Sequence, residues 1–288
     1  METKELLKKV RTIEIKTRGL SRQIFAGEYH SAFKGKGMAF SEVREYQVGD
    51  PIKNIDWHVT ARFNHPYVKI FEEERELTVM VLVDVSSSQE FGTHERLKNE
   101  LVAEVTAVLS FSAIHNNDKI GVIFFSDKVE KFIPPKKGRK HILRIIREMI
   151  DFKPDSNGTN IAEALRYLTN AIKKRCTAFV ISDFIDQHPY LDAMRIAGNK
   201  HDVVALRVYD KRDVELPNVG MVRMRDPETN SNVLVDTSQK QTREMFKSSY
   251  SAFRKKSVDN FRKSGVDFVE LKTDQDYVKP LIALFKRR

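Results

Sequence analysis

Two short apolar runs constrain the fold of this chain most: VMVLV at residues 79–83 and AFVI at residues 178–181. The first ends directly on Asp84, and the second ends one serine later on Asp183. Both runs are continuous rather than alternating, as in a strand covered on both faces within a parallel sheet. Helical spacing follows each expected strand. Leu97, Leu101, Val105, Val108 and Ser112 mark one helix, and Ile161, Ala164, Leu165, Leu168, Ala171 and Ile172 another. Further strands are expected over 119–126, 202–208 and 266–271, and a short one over 129–133 that Pro134 and Pro135 stop. Helices are expected over 141–150, 190–197 and 277–288. This alternation predicts an α/β fold with a doubly wound, mostly parallel sheet. Ligands of such sheets sit beyond the carboxyl ends of the strands, where Asp84 and Asp183 stand.

The first 75 residues differ in character. GEYHSAFKGKGMAF, at 27–40, carries three glycines and no helical period, so residues 1–75 read as a segment of loops and short strands packing on a larger domain over 76–288. Within the larger domain, runs at 221–225 and 232–235 flank DPETNS and read as a hairpin insertion near 215–237. A long basic helix follows, with Phe246, Tyr250, Phe253 and Phe261 on one stripe.

Composition excludes several classes. Hydrophobic residues make up 41% and charged residues 31%, the balance of a globular protein. The one cysteine, Cys176, excludes a disulfide framework and a cysteine-based zinc site, and makes a reducing compartment the expectation. METKELLKKVRTIEIKTR interleaves charge throughout, unlike a secretory leader, and the apolar runs fall far short of the ~20 residues of a membrane helix. A cytoplasmic location without a membrane span is expected. Net charge is +10, and residues 238–288 hold 13 Lys or Arg against 6 Asp or Glu. That excess offers nucleic acid or an anionic surface a route through the basic helix over 239–263. No zinc-finger or aromatic RNA-binding pattern accompanies it, so a solvated helix face is the ordinary reading and nucleic acid is not the expected partner.

At the strand ends, Asp84, Ser86 and Ser88 form D-x-S-x-S, with Thr159 in the loop SNGTN and Asp183 in ISDF. Alternation would aim the first three side chains one way as the chain leaves its strand. Carboxylates and hydroxyls are all hard oxygen donors, suited to Mg²⁺ or Mn²⁺, and the set contains no histidine or cysteine for zinc. The competing reading is that Asp84 and the serines cap the following helix. His58 and His65 have no third partner at metal spacing. Catalytic frames are missing: the position two after Asp84 is Ser86 rather than a second aspartate, no G-x-S-x-G elbow occurs, and GKG at 35–37 lacks a P-loop frame. No enzyme is expected.

The five residues resemble the metal-ion-dependent adhesion site of von Willebrand factor A domains. That resemblance implies Ser86, Ser88 and Thr159 as direct ligands of Mg²⁺ or Mn²⁺, Asp84 and Asp183 as charge balance often acting through water, and an open position for a partner's carboxylate. A second resemblance starts further upstream. REYQVGDPIKNIDW, at 44–57, is followed by Ala61-Arg62, Phe71-Glu72 and Glu74, and later by GVIFFSD at 121–127, Pro134-Pro135, Ser182-Asp183-Phe184 and Asp226-Pro227-Glu228-Thr229. These segments resemble the bacterial domain of unknown function 58, with Lys53 where arginine is usual. The family association implies an adaptor or chaperone-like role beside a MoxR-type AAA ATPase or its client. Arg44, Asp50, Asp56, Trp57 and Arg62 stand out within the motif, either as an interaction surface or as a structural ion-pair and packing cluster.

Overall fold

A computed structural model describes residues 39–72, 77–90, 97–225 and 231–287. The glycines at 27, 35 and 37, Glu74 and the hairpin tip at 226–229 lie outside the described residues. The chain divides into two units, one of Phe33–Leu77 and one that contains Thr78–Arg288.

In the first unit, β1 (Ala39–Glu45) pairs antiparallel with β2 (Tyr67–Glu72), with an irregularity between Phe40 and Glu42. The connection holds a 3-10 turn, Ile52–Asn54, and a short helix, α1 (Trp57–Phe63), within a stretch expected to be only loops and strands. Local caps make that helix: Asp56 accepts from the amides of His58 and Val59, and Asn64 closes the other end in the left-handed conformation at φ 58°.

The second unit is built on a six-stranded sheet. Its elements run β3 (Thr78–Asp84), α2 (Lys98–His115), β4 (Lys119–Phe125), β5 (Val129–Lys136), α3 (Arg139–Asp151), α4 (Ile161–Ala171), β6 (Thr177–Ser182), α5 (Leu191–Lys200) and β7 (Asp202–Tyr209). Then come α6 (Lys211–Val214), β8 (Met221–Arg225), β9 (Asn232–Asp236), α7 (Lys240–Ser264), β10 (Asp267–Lys272) and α8 (Val278–Lys286). The strand order is β10-β7-β6-β3-β4-β5, parallel throughout except for antiparallel β5 at one edge. β8 and β9 form the separate hairpin.

Met80 and Leu82 of β3 join one core with Ile161, Leu165 and Leu168 of α4, Met194 of α5 and Phe261 of α7. On the other face Phe179 meets Phe285 of α8 edge-on, and α2 is buried almost all round, including Leu101, Val105 and Val108. A helix apolar on every side belongs at the centre of a core. The central strands β3 and β6 are thus sealed on both faces, which is why their sequences do not alternate.

Pro134 and Pro135 do not stop β5; the strand runs through them to Lys136. As an edge strand β5 pairs only with β4, so the missing amides cost no second ladder, and the register shifts there between Ile120 and Val122. Gly121 explains the close approach. A Cβ on it would lie 2.8 Å from the Ile133 carbonyl oxygen, the Pro135 nitrogen and the Met80 sulfur. Gly121→Ala is therefore expected to destabilise the sheet by about 1–3 kcal/mol through overpacking. Urea titration checks this, with an unchanged midpoint as the contrary result.

Candidate metal centre

β3 and β6 lie side by side with Val83 opposite Ile181, which sets Asp84 beside Ser182 and brings Asp183 to the same end of the sheet. The Ser182 hydroxyl donates to Asp84 Oδ2 at 2.5 Å and accepts from the Phe184 amide at 2.9 Å. The other Asp84 oxygen accepts from the Ser86 amide at 3.0 Å. The chain then enters a 3-10 turn, Ser87–Glu90, so a turn rather than continued alternation brings the hydroxyls together: Ser86 Oγ and Ser88 Oγ are 3.1 Å apart. The next described α-helix starts at Lys98, so the serines do not cap it.

Thr159 arrives from the loop between α3 and α4. The Ser87 amide donates to the Asn157 carbonyl at 3.2 Å and the Ser87 hydroxyl to Asn157 Oδ1 at 2.7 Å, tying that loop to the serine turn. His188 Nδ1 sits 3.2 Å from the Thr159 carbonyl oxygen. Asp84, Ser86, Thr159 and Asp183 are buried, and the least enclosed of the five is Ser88 at 8% exposure. Beside Thr159 opens a polar cleft of about 480 Å³ lined by Asp127, Asp155, Asn157, Gly158 and His188. Of the five expected donors, Thr159 is the one that lines it.

Two buried carboxylates in one site raise an electrostatic problem. Burial, and next the negative charge of Asp183, push the Asp84 carboxyl up to about 7, against hydrogen bonds from Ser182 and Ser86 that favour the anion. That unrelieved charge, beside close-set hydroxyls, is the environment an oxygen-seeking divalent cation fits. Among the described residues no group of three or more His, Cys, Asp or Glu side chains is placed to hold a metal, so a cation here would need the hydroxyls of Ser86, Ser88 and Thr159 beside the carboxylates.

Asp183 has further partners that sequence reasoning missed. Lys98 Nζ lies 3.1 Å from Asp183 Oδ2 and 3.0 Å from Asp213 Oδ2. The Asp183 carbonyl accepts from Arg207 Nε at 3.3 Å. Arg207 pairs with Glu270 at 2.8 Å, donates to the Tyr250 hydroxyl at 3.1 Å and lies over the Tyr250 and Phe253 rings. Glu270 also holds Arg254. Only Arg207 had a visible signal, a cation inside the apolar run of β7. Immediately after Asp183, Phe184 is fully buried at φ 60°, a left-handed conformation uncommon for an aromatic residue and held by the Ser182 hydroxyl.

The cluster in the first unit divides. Arg44 grips Asp50 with two hydrogen bonds of 2.7 and 2.8 Å, and Asp56 caps α1 while pairing with Lys69 at 3.3 Å. Trp57 is 67% exposed and Arg62 is exposed. His58 and His65 are exposed as well.

A mostly parallel six-stranded sheet with helices packed on it is a von Willebrand factor A-like fold. The sequence model of the family described as "Protein of unknown function DUF58" matches residues 42–256, and the chain belongs to that family. It is 30% identical over 283 residues to an uncharacterized protein of Mycobacterium tuberculosis strain H37Rv, covering 97% of this chain and 88% of that one. It is 24% identical over 184 residues to an uncharacterized protein, YeaD, of Bacillus subtilis strain 168, covering 64% of this chain and 44% of that one. Its fold is similar to that of an aerotolerance-related membrane protein from Bacteroides fragilis, crystallised with multiple mutations to serines, at a TM-score of 0.50 and 15% identity over 74% of this chain and all of that one. Among the described residues of this chain, no helix is long and apolar enough to cross a membrane.

The raised Asp84 pKa has a sign that experiment can read. The folded state holds this proton more tightly than the unfolded chain, so the contribution is fully present below the unfolded carboxylate range and is lost as pH rises through about 7. Asp84→Asn, with chelator present, is expected to be more stable than the parent by roughly 2–4 kcal/mol near pH 8 and close to it near pH 4. Thermal unfolding at both pH values tests this; an equal gain at each would refute it.

Proposed function

We propose that this chain is a non-catalytic protein-interaction module that captures an acidic side chain of a partner through a divalent cation. The observation that carries the reading is the oxygen-only cluster at the ends of β3 and β6, where buried Asp84 and Asp183 oppose each other beside the hydroxyls of Ser86 and Ser88. Ser86, Ser88 and Thr159 would hold Mg²⁺ or Mn²⁺ directly, and Asp84 and Asp183 would balance its charge. When bound, the cation supplies a positive centre that accepts a carboxylate oxygen. The chain's own part is to bury and orient the donors, with Ser182 fixing Asp84 and the Ser87–Asn157 contacts fixing the loop of Thr159. The partner in this reading is a MoxR-type AAA ATPase or its client, which makes the protein an adaptor. A reducing, cytoplasmic setting belongs to the same reading and agrees with the free, buried thiol of Cys176.

Metal-stripped protein titrated calorimetrically with Mn²⁺ or Mg²⁺ is expected to bind one equivalent. Ser86→Ala should weaken binding at least about tenfold, and Asp183→Ala should abolish it. Capture of the ATPase on immobilised protein should fall to background with chelator or in either variant. Capture indifferent to chelator and to both substitutions would overturn the reading.

A further inference from the structure

Lys98 is the first residue of α2, yet its side chain does not point to water as lysines at helix ends ordinarily do. It is 1% exposed, and its ammonium is gripped between Asp183 of the candidate metal centre and Asp213 of α6, the short helix directly after β7. Asp213 is itself half-buried and additionally accepts from the Asp210 amide at 2.8 Å. Burying three charged groups together is costly, and a well-packed apolar side chain is often as good for stability. Stability alone therefore gives weak reason for a lysine here. Its position gives a better one: the ammonium and any cation held at the site must share a single carboxylate, Asp183.

We infer that Lys98 is a built-in competitor for the divalent cation, an internal positive charge that holds Asp183 when the site is empty and sets the site's affinity low. This rests on the metal-site reading given above. The physical basis is charge at short range. A cation held by Ser86, Ser88 and Thr159, with Asp183 balancing its charge, would face the Lys98 ammonium across that one carboxylate, in a buried setting that screens their repulsion poorly. Binding therefore works against the Lys98–Asp183 contact and shifts Lys98 toward Asp213. Asp213 is the relay in this scheme: it draws the ammonium away from Asp183 and adds negative charge near the cation. By linkage, whatever moves α6 also changes the site's affinity for metal. Lys98 touches no partner in this account; it is a positioning residue acting through Asp183.

The two neighbours of Asp183 thus have opposite expected effects, which a merely structural role would not produce. Lys98→Met should tighten Mn²⁺ binding about tenfold or more, and Asp213→Asn should weaken it several-fold, as expected for removing one unit charge of each sign close to the ion. Calorimetric titration of Mn²⁺ into the metal-stripped full chain reads both, and the metal-induced rise in unfolding temperature gives a second measure. If Lys98→Met fails to fold, the Asp213→Asn variant decides, because its weakening is specific to the relay while stability is followed separately. Tightening in Lys98→Met, or Mn²⁺ uptake by that variant where the parent takes up none, supports the inference. Unchanged or weaker binding in Lys98→Met, or unchanged binding in Asp213→Asn, overturns it while leaving the metal centre intact. Absence of Mn²⁺ uptake by the parent and by every variant overturns the metal-site reading and this inference together.

Discussion

Parallel pairing of four neighbouring strands sets one rung of the sheet on which the rest of the site depends. On that rung Asp84 ends β3, Ser182 stands beside it in β6, Arg207 pairs with Ser182 in β7, and Glu270 pairs with Arg207 in β10. Backbone register alone fixes this lateral row, because side chains on one rung of a parallel sheet share a face. The hydrogen bond from Ser182 to Asp84 and the ion pair from Arg207 to Glu270 then follow with little freedom to form otherwise. A slip of one residue in any of these strands would turn the polar atoms into the opposite core.

That row concentrates buried charge, and the structure offsets it locally. Arg207 is held by Glu270, by the Tyr250 hydroxyl and by the rings of Tyr209, Tyr250 and Phe253, while Lys98 bridges two carboxylates. Among the described residues Asp84 pairs with no cation, and it is the group whose protonation burial and Asp183 disturb. The charge balance is complete on the β7–β10 side and incomplete at β3. In the metal-site reading proposed above, this asymmetry would favour a cation beside Ser86 and Ser88 over one beside Arg207.

The long basic helix is part of this balance. Tyr250, Phe253 and Arg254 of α7 face the Arg207–Glu270 pair, and Phe261 is fully buried in the core. Arg243 donates to the carbonyls of Thr237 and Ser238. Two of the cations that make the C-terminal end basic are therefore committed to internal contacts, while Lys247, Lys255, Lys256 and Lys263 remain a solvated face. Net charge counted along a sequence cannot separate those two populations, since the difference is one of neighbours rather than of residue type.

Continuous apolar runs, helical spacing and terminal carboxylates made the doubly wound sheet legible from the sequence, along with the end of it where Asp84 and Asp183 stand. Each of those signals is local, written in consecutive residues or in one helical period. The sequence misled where one strand's place in the sheet decided the outcome, as at Pro134 and Pro135, which an edge strand tolerates and a central one would not. It was silent on α1, which caps at Asp56 and Asn64 rather than periodicity define. It was silent too on Lys98 and Asp213, because a buried ion pair joins residues 85 and 115 positions apart and leaves no local pattern. The sequence by itself determined which residues can offer oxygen at the strand ends and which strands lie buried. Only the tertiary structure decided which carboxylate is relieved by a lysine and which is left under strain, since charge interactions depend on distance in space, and the chain sets that distance by folding.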